Sequence, residues 1–267
     1  MDSPLLLDKL IQQKKSFLCV GLDPDPEKIP KPWSTSIDGI QEYLINILES
    51  TLPYSVACKP NLAFFEVLGS KGWDLFNTIL SQIPADVFII ADAKRGDIGN
   101  SSTQYAKAIL NLAPVNAITV SPYMGFDSVN PFLQFSNKWT FVLALTSNIG
   151  AEDFQLQKLT SGKFLFEEVI IKCQKWAEGT SGVLGFVVGA THPEHMELVR
   201  KHAPDTYVLC PGVGTQGGDL QEVIKYLAPR VLINLGRHLL YSDANEDPFK
   251  AANIKAALIQ AEMAKWF

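Results

Sequence analysis

The feature that most constrains this chain is an alternation. Short apolar runs, at 17–22, 55–58, 87–93, 117–120, 140–145, 183–188, 207–210 and 231–235, are each followed by a longer, mostly amphipathic segment. The first connection opens on prolines between 24 and 32, which forbid a helix there, and a helix then fits 38–50. Further helices fit 64–82 with an interruption around 69–72, then 101–112, 127–136, 162–178, 193–203, 219–227 and 248–266. Strands that alternate with helices build a parallel sheet, and runs that are apolar almost throughout are buried on both faces. Eight such units in 267 residues predict a (β/α)8 barrel occupying residues 1–267 as one domain. An open doubly wound sheet is the alternative, but no Gly-x-Gly-x-x-Gly follows the first run.

Composition narrows the classes of function. Hydrophobic residues make up 47% of the chain and charged residues 19%, enough for a large core. The formal net charge is −5 and no run of lysine or arginine exists to neutralise phosphates in series, which argues against nucleic acid as a partner. No apolar stretch reaches the roughly 20 residues that span a bilayer, so no membrane partner is expected. The N-terminus lacks the basic and apolar regions of a signal peptide. Cys19, Cys58, Cys173 and Cys210 are scattered, and three of them lie in apolar, strand-like runs, the pattern of buried free thiols in a reducing cytoplasm.

In a barrel of this kind the site forms where the strands end. Polar residues collect at those ends here: Asp23, Lys59, Asp92, Lys94, Ser147 and Arg237. The densest group is Asp92-Ala93-Lys94-Arg95-Gly96-Asp97 after the third run. Strand alternation puts Asp92 and Lys94 on one face and Arg95 on the other, where an outer-face salt bridge suits it. Two carboxylates converging on one ammonium would keep it charged and aimed, an arrangement suited to delivering a proton to carbon. After the seventh run come four glycines, Gly212, Gly214, Gly217 and Gly218, and after the eighth comes Gly236-Arg237. Glycines let backbone N–H groups approach an anion and arginine pairs with phosphate bidentately, so these two loops predict a phosphate site. His192 and His195 are three apart, a possible metal pair, but they lack an evident third ligand and read as exposed helix histidines.

The motifs also carry a resemblance. Gly-Leu-Asp at 21–23, Lys-Pro-Asn at 59–61, Asp-Ala-Lys-Arg-Gly-Asp-Ile-Gly-Asn at 92–100, Thr-Ser-Asn at 146–148, Pro-Gly-Val-Gly-Thr-Gln-Gly-Gly-Asp at 211–219 and Gly-Arg at 236–237 resemble the orotidine 5′-phosphate decarboxylase family, its bacterial type 2 subfamily in particular. The resemblance implies decarboxylation of orotidine 5′-monophosphate without metal or organic cofactor. It implies a catalytic array of Asp92, Lys94 and Asp97 extended by Lys59, with Lys94 giving a proton to C6 of the ring. Asp23 and Lys59 would hold the ribose, Ser147 the pyrimidine, and Gln216, Gly236 and Arg237 the phosphate. Asp97, with Ile98 and Ser101, would enter the site of a partner subunit in a homodimer.

Two other readings compete. Magnesium-dependent sugar-phosphate decarboxylases and aldolases share the scaffold and the Asp-x-Lys-x-x-Asp motif, but place a metal-binding carboxylate where this chain has Lys59, and an ammonium repels a divalent cation. A barrel that merely binds a phosphorylated ligand predicts loss of the lysine or an acid, and all three are present.

Overall fold

The structure, a computed structural model, describes residues 3–214, 216–241 and 246–267. Among them, eight parallel strands close into one barrel in sequence order. These are β1 (Leu18–Leu22), β2 (Ala57–Pro60), β3 (Phe88–Arg95), β4 (Ala117–Val120), β5 (Trp139–Leu145), β6 (Val183–Val188), β7 (Tyr207–Pro211) and β8 (Val231–Leu235). The seam closes where β1 pairs with β8, Leu18 opposite Ile233, while Cys19 lies opposite Ala57 on the other side. Closure leaves no sheet edge, so every strand satisfies its backbone groups on both sides.

Helices wrap the barrel in the expected alternation. They are α1 (Pro4–Lys14), α2 (Ile37–Thr51), α3 (Leu62–Glu66), α4 (Ser70–Ser81), α5 (Gly99–Ala106), α6 (Phe126–Leu133), α7 (Leu165–Ala177), α8 (Pro193–His202), α9 (Leu220–Leu227), α10 (Arg237–Leu240) and α11 (Pro248–Met263). In α2 the reason is plain: Ser36 caps the first turn by accepting from the Gly39 N–H, and Ile40, Tyr43, Leu44, Ile47 and Leu48 form a buried stripe at helical spacing. None of the described helices is long and apolar enough to cross a membrane.

The barrel interior divides into two ends. Phe88, Trp139 and Tyr207 open β3, β5 and β7, strands that are not neighbours, yet the Trp139 ring lies 5.0 Å from Phe88 and 5.3 Å from Tyr207. Such contacts require the rings to meet inside the barrel, where they form an aromatic floor at the N-terminal ends of the strands. Phe141 stacks beside Trp139, and Gly185 on β6 leaves it room, since a Cβ there would sit 2.6 Å from the Phe141 ring. Below the floor, Asp8 of α1 accepts from the Tyr207 hydroxyl at 2.5 Å, while Lys14 donates to the carbonyls of Leu52 and Ser55. With the lower end filled, polar side chains gather at the upper one.

Several boundaries differ from expectation. Helix α1 precedes the first strand, although Leu7, Leu10 and Ile11 carried its buried face at legible spacing. The second strand begins two residues later than the apolar run because a short 3-10 turn at Leu52–Tyr54 delays it, and this brings Lys59 inside the strand. Helix α5 starts at Gly99 and runs on into a π-helical turn at Lys107–Asn111, and Gly236-Arg237 opens the short α10. The break in 64–82 falls between α3 and α4, and Gly72 there touches α3 so closely that a side chain would run into the Phe65 carbonyl. Replacing Gly72 with alanine is therefore expected to lower the unfolding free energy by about 1–3 kcal/mol, read from the urea midpoint at constant m-value.

Candidate active site

The upper end of the barrel is organised by an irregularity in β3. Ala91 lies opposite Ile118 and Arg95 opposite Val120, so the three residues Asp92, Ala93 and Lys94 face Thr119 alone. The extra residues bulge, and Lys94 takes a left-handed backbone conformation with φ of 45°. The expected meeting of Asp92 and Lys94 occurs, at 2.7 Å between Lys94 Nζ and Asp92 Oδ1, by this bulge rather than by plain strand alternation. From β2, Lys59 Nζ donates to Asp92 Oδ2 at 2.6 Å. One carboxylate thus lies between two ammoniums.

Burial sets their properties. The side chains of Lys59 and Asp92 are 5% and 7% exposed, whereas that of Lys94 is 50% exposed. Burial alone would push the Lys59 ammonium towards neutrality, but the carboxylates of Asp92 and Asp23 outweigh it and hold its pKa above the usual lysine range. Burial would likewise raise Asp92, and the charges of Lys59 and Lys94 outweigh it, holding the carboxyl well below the usual carboxylate range. Lys59 and Asp92 are both ionised at neutral pH, and the Lys94 ammonium remains within reach of whatever enters.

What can enter is defined by a cavity of about 380 Å³, a size suited to a small organic ligand. Asp23 from the end of β1, Lys59, Asp92 and Lys94 form one wall; Ser147 after β5, Gln216 after β7 and Gly236-Arg237 after β8 form another. Lys59, Lys94 and Arg237 outnumber Asp23 and Asp92 in charge, a balance that suits an anion. The β7 loop turns on Gly212, Gly214 and Gly217, all at positive φ. At Gly212 a Cβ would approach Gln216 Oε1 to 2.7 Å, so the glycine also lets Ser147 Oγ donate to that oxygen at 2.8 Å. Thr215 of the same motif lies outside the described residues. Among those residues Asp23 Oδ1 is buried without a hydrogen-bond partner, an unsatisfied acceptor on a side chain that lines the cavity.

The family model described as orotidine 5'-phosphate decarboxylase / HUMPS family matches residues 16–252, which include all eight strands of the barrel and every cavity residue named above. The chain belongs to this family. It is 46% identical over 261 residues to the orotidine 5'-phosphate decarboxylase of Phocaeicola vulgatus, covering 96% of this chain and 95% of that protein. It is also 46% identical to the Flavobacterium johnsoniae decarboxylase over 265 residues, covering 97% and 96%. Among solved structures, the Leishmania donovani OMP decarboxylase superposes with a TM-score of 0.83 at 34% identity, covering 98% of this chain and 99% of that one.

Of the residues expected for a decarboxylase of this family, Asp23, Lys59, Asp92, Lys94, Ser147, Gln216, Gly236 and Arg237 meet in the one cavity. Asp97, Ile98 and Ser101 do not line it. Asp97 Oδ1 accepts from the Ile98 N–H at 2.7 Å, Ile98 is 60% exposed, and Ser101 faces outward at the start of α5. Within one chain, then, the second carboxylate does not converge on Lys94. Arg95 points to the outer face as expected, paired with Glu66 and stacked 5.4 Å from the Tyr105 ring centroid. His192 and His195 correct the reading of exposed histidines: their side chains are 17% and 16% exposed, and His195 packs on Phe164 at 4.9 Å because the β5 loop folds over the first turn of α8. Sequence reasoning left Asn148 and Asn234 without a role, although both line the cavity, and a polar residue inside the apolar run of β8 was the available signal for Asn234.

The ion pairs make stability depend on pH from both sides. A depressed carboxylate contributes above its unfolded pKa of about 3.9 and loses that contribution as pH falls towards its folded value; a raised lysine contributes below about 10.4 and loses it as pH rises through its folded value. Replacing Asp92 with asparagine leaves Lys59 buried without its bonded carboxylate and is expected to cost about 3–5 kcal/mol at pH 7. Urea unfolding of both proteins should show that difference narrowing as pH falls below about 4.

Proposed function

We propose that the chain decarboxylates orotidine 5′-monophosphate to UMP and CO2, the last step in making a pyrimidine nucleotide, with Lys94 donating the proton to C6. The reading is carried by the Lys59–Asp92–Lys94 array facing an anion-binding wall across one cavity, in a chain whose relatives are named for this reaction. Gln216, Gly236 and Arg237 hold the phosphate through a planar guanidinium and loop glycines. Asp23 and Lys59, which line the cavity side by side, hold the ribose hydroxyls, and Ser147 reads the pyrimidine.

The chemistry follows from where charge appears. Breaking the bond from C6 to the carboxylate leaves its electron pair on C6, a carbon with no neighbour that delocalises it well. The Lys94 ammonium, positioned before the reaction by Asp92, stabilises that charge and then transfers a proton to C6 as CO2 departs, regaining its own from solvent afterwards. No step in this sequence calls for a metal or organic cofactor. Phosphate contacts remote from C6 supply binding energy that holds the ring against the array.

Asp97, Ile98 and Ser101 act in this proposal from a second copy of the chain. They turn away from their own cavity, on a surface that also exposes Tyr105 and Met124. A homodimer would place Asp97 beside the partner's lysine and supply the second carboxylate. The buried free cysteines suit a reducing cytoplasm, and burial pushes the Cys19 and Cys173 thiols up to about 12. Magnesium-dependent sugar-phosphate chemistry is disfavoured by Lys59, whose ammonium already neutralises Asp92 from the strand that would offer a metal its carboxylate.

Ultraviolet absorbance of orotidine 5′-monophosphate, followed with the protein in excess EDTA, should fall rapidly, and Lys94→Ala should reduce turnover by at least about 10³-fold. Near-normal turnover by that variant would refute the proton donor. Mixing inactive Lys94→Ala and Asp97→Ala proteins should restore up to roughly a quarter of wild-type activity, because each random hybrid dimer regains one complete site. An inactive mixture would refute the shared site, provided mass spectrometry confirms that hybrid dimers formed.

A further inference from the structure

We propose that Thr119 is a positioning residue for this reaction: its hydroxyl locks the Asp92 carboxylate to the Lys94 backbone and so aims the Lys94 ammonium. The proposal rests on the roles given to Asp92 and Lys94 above.

The observation is a break in a ladder. Where β3 bulges, three residues oppose one on β4, and that one is Thr119. A regular strand would pair the Lys94 N–H with a β4 carbonyl; here it donates to Thr119 Oγ1 at 2.9 Å. The same hydroxyl donates its hydrogen to Asp92 Oδ1 at 2.8 Å, the oxygen that also receives the Lys94 ammonium at 2.7 Å. One oxygen thus closes a ring through the Lys94 backbone, the Lys94 side chain and the Asp92 carboxylate.

Each part of this arrangement needs something only Thr119 offers. Lys94 sits in a left-handed conformation that side chains seldom adopt, with φ of 45°, and a hydrogen bond to its own N–H holds it there. Asp92 is gripped on Oδ2 by Lys59 from β2, so without a donor from the opposite side its Oδ1 is fixed only by the mobile end of Lys94. Thr119 is 1% exposed and its β-branched side chain is held by β4, which makes the hydroxyl a rigid reference point between the two. Thr119 does not line the cavity, so it works through Asp92 and Lys94 rather than by touching substrate.

Valine in place of Thr119 keeps shape and strand preference while deleting the hydroxyl. Because displacing a catalytic group by about 1 Å costs roughly 10²-fold, Thr119→Val is expected to lower kcat by about 10–100-fold, to leave KM within about threefold, and to lower the melting temperature by only a few degrees. Thr119→Ser, which restores the hydroxyl, should recover most of the rate. Should the valine protein fail to fold, Thr119→Ala takes its place under the same criteria. A kcat within about threefold of wild type in the hydroxyl-free variant overturns the proposal, as does a loss that serine fails to rescue. A separate readout does not depend on turnover: hydrogen exchange of the Lys94 amide, followed by NMR, should accelerate at least about tenfold in Thr119→Val and remain slow in Thr119→Ser. Unchanged exchange in the valine protein overturns the proposal even if the chain proves to act on another substrate.

Discussion

The upper end of this barrel depends on one carboxylate held between two ammoniums. Asp92 is buried, and a buried charge without partners is expensive; Lys59 and Lys94 remove that cost and are held by Asp92 in return. The three groups come from two strands, so the arrangement exists only if β2 and β3 pair in the observed register, with Ala57 opposite Phe88. A shift by one residue would turn Lys59 away from Asp92, leaving a buried ammonium unpaired and Asp92 with Lys94 alone. The electrostatics of the site and the register of the barrel therefore reinforce each other.

The same barrel explains why the polar chemistry collects at one end. Phe88, Trp139, Phe141 and Tyr207 pack together in the lower interior and α1 joins it from beneath through the Asp8–Tyr207 hydrogen bond. At the upper end the strands stop and loops take over. Glycines at 212, 214 and 217 allow the β7 loop to turn sharply enough for Gln216 to reach Ser147, bringing the loops after β5 and β7 together over the cavity. The proposed division of labour between a charged wall and an anion-binding wall follows from which strand each side chain ends.

Much of this was legible from residue order. All eight strands overlap apolar runs, and the runs that became β4, β6 and β8 match residue for residue, because burial on both faces demands mostly apolar strands. The six polar residues expected at strand ends meet in one cavity with Gln216 and Gly236, since a closed parallel barrel brings the ends of all its strands to one mouth. The unexpected parts have local causes. Lys59 lies inside β2 because a 3-10 turn delays that strand, α10 forms on too few residues to show a period, and the histidines of α8 are covered by a loop whose path no local pattern announces.

The sequence by itself determined the fold class, the family and the chemical types available: a parallel barrel, ammoniums and carboxylates at strand ends, and glycines where loops must turn. Periodicity and residue type are local properties, and strand ends inherit their common location from closure of the sheet. Only the tertiary structure decided that Asp92 is shared between Lys59 and Lys94, that Thr119 faces the bulge they stand on, and that Asp97 turns away from its own cavity. These depend on register between strands and on where a bulge falls, quantities set by pairing with residues distant in the chain, so a single strand read alone cannot contain them.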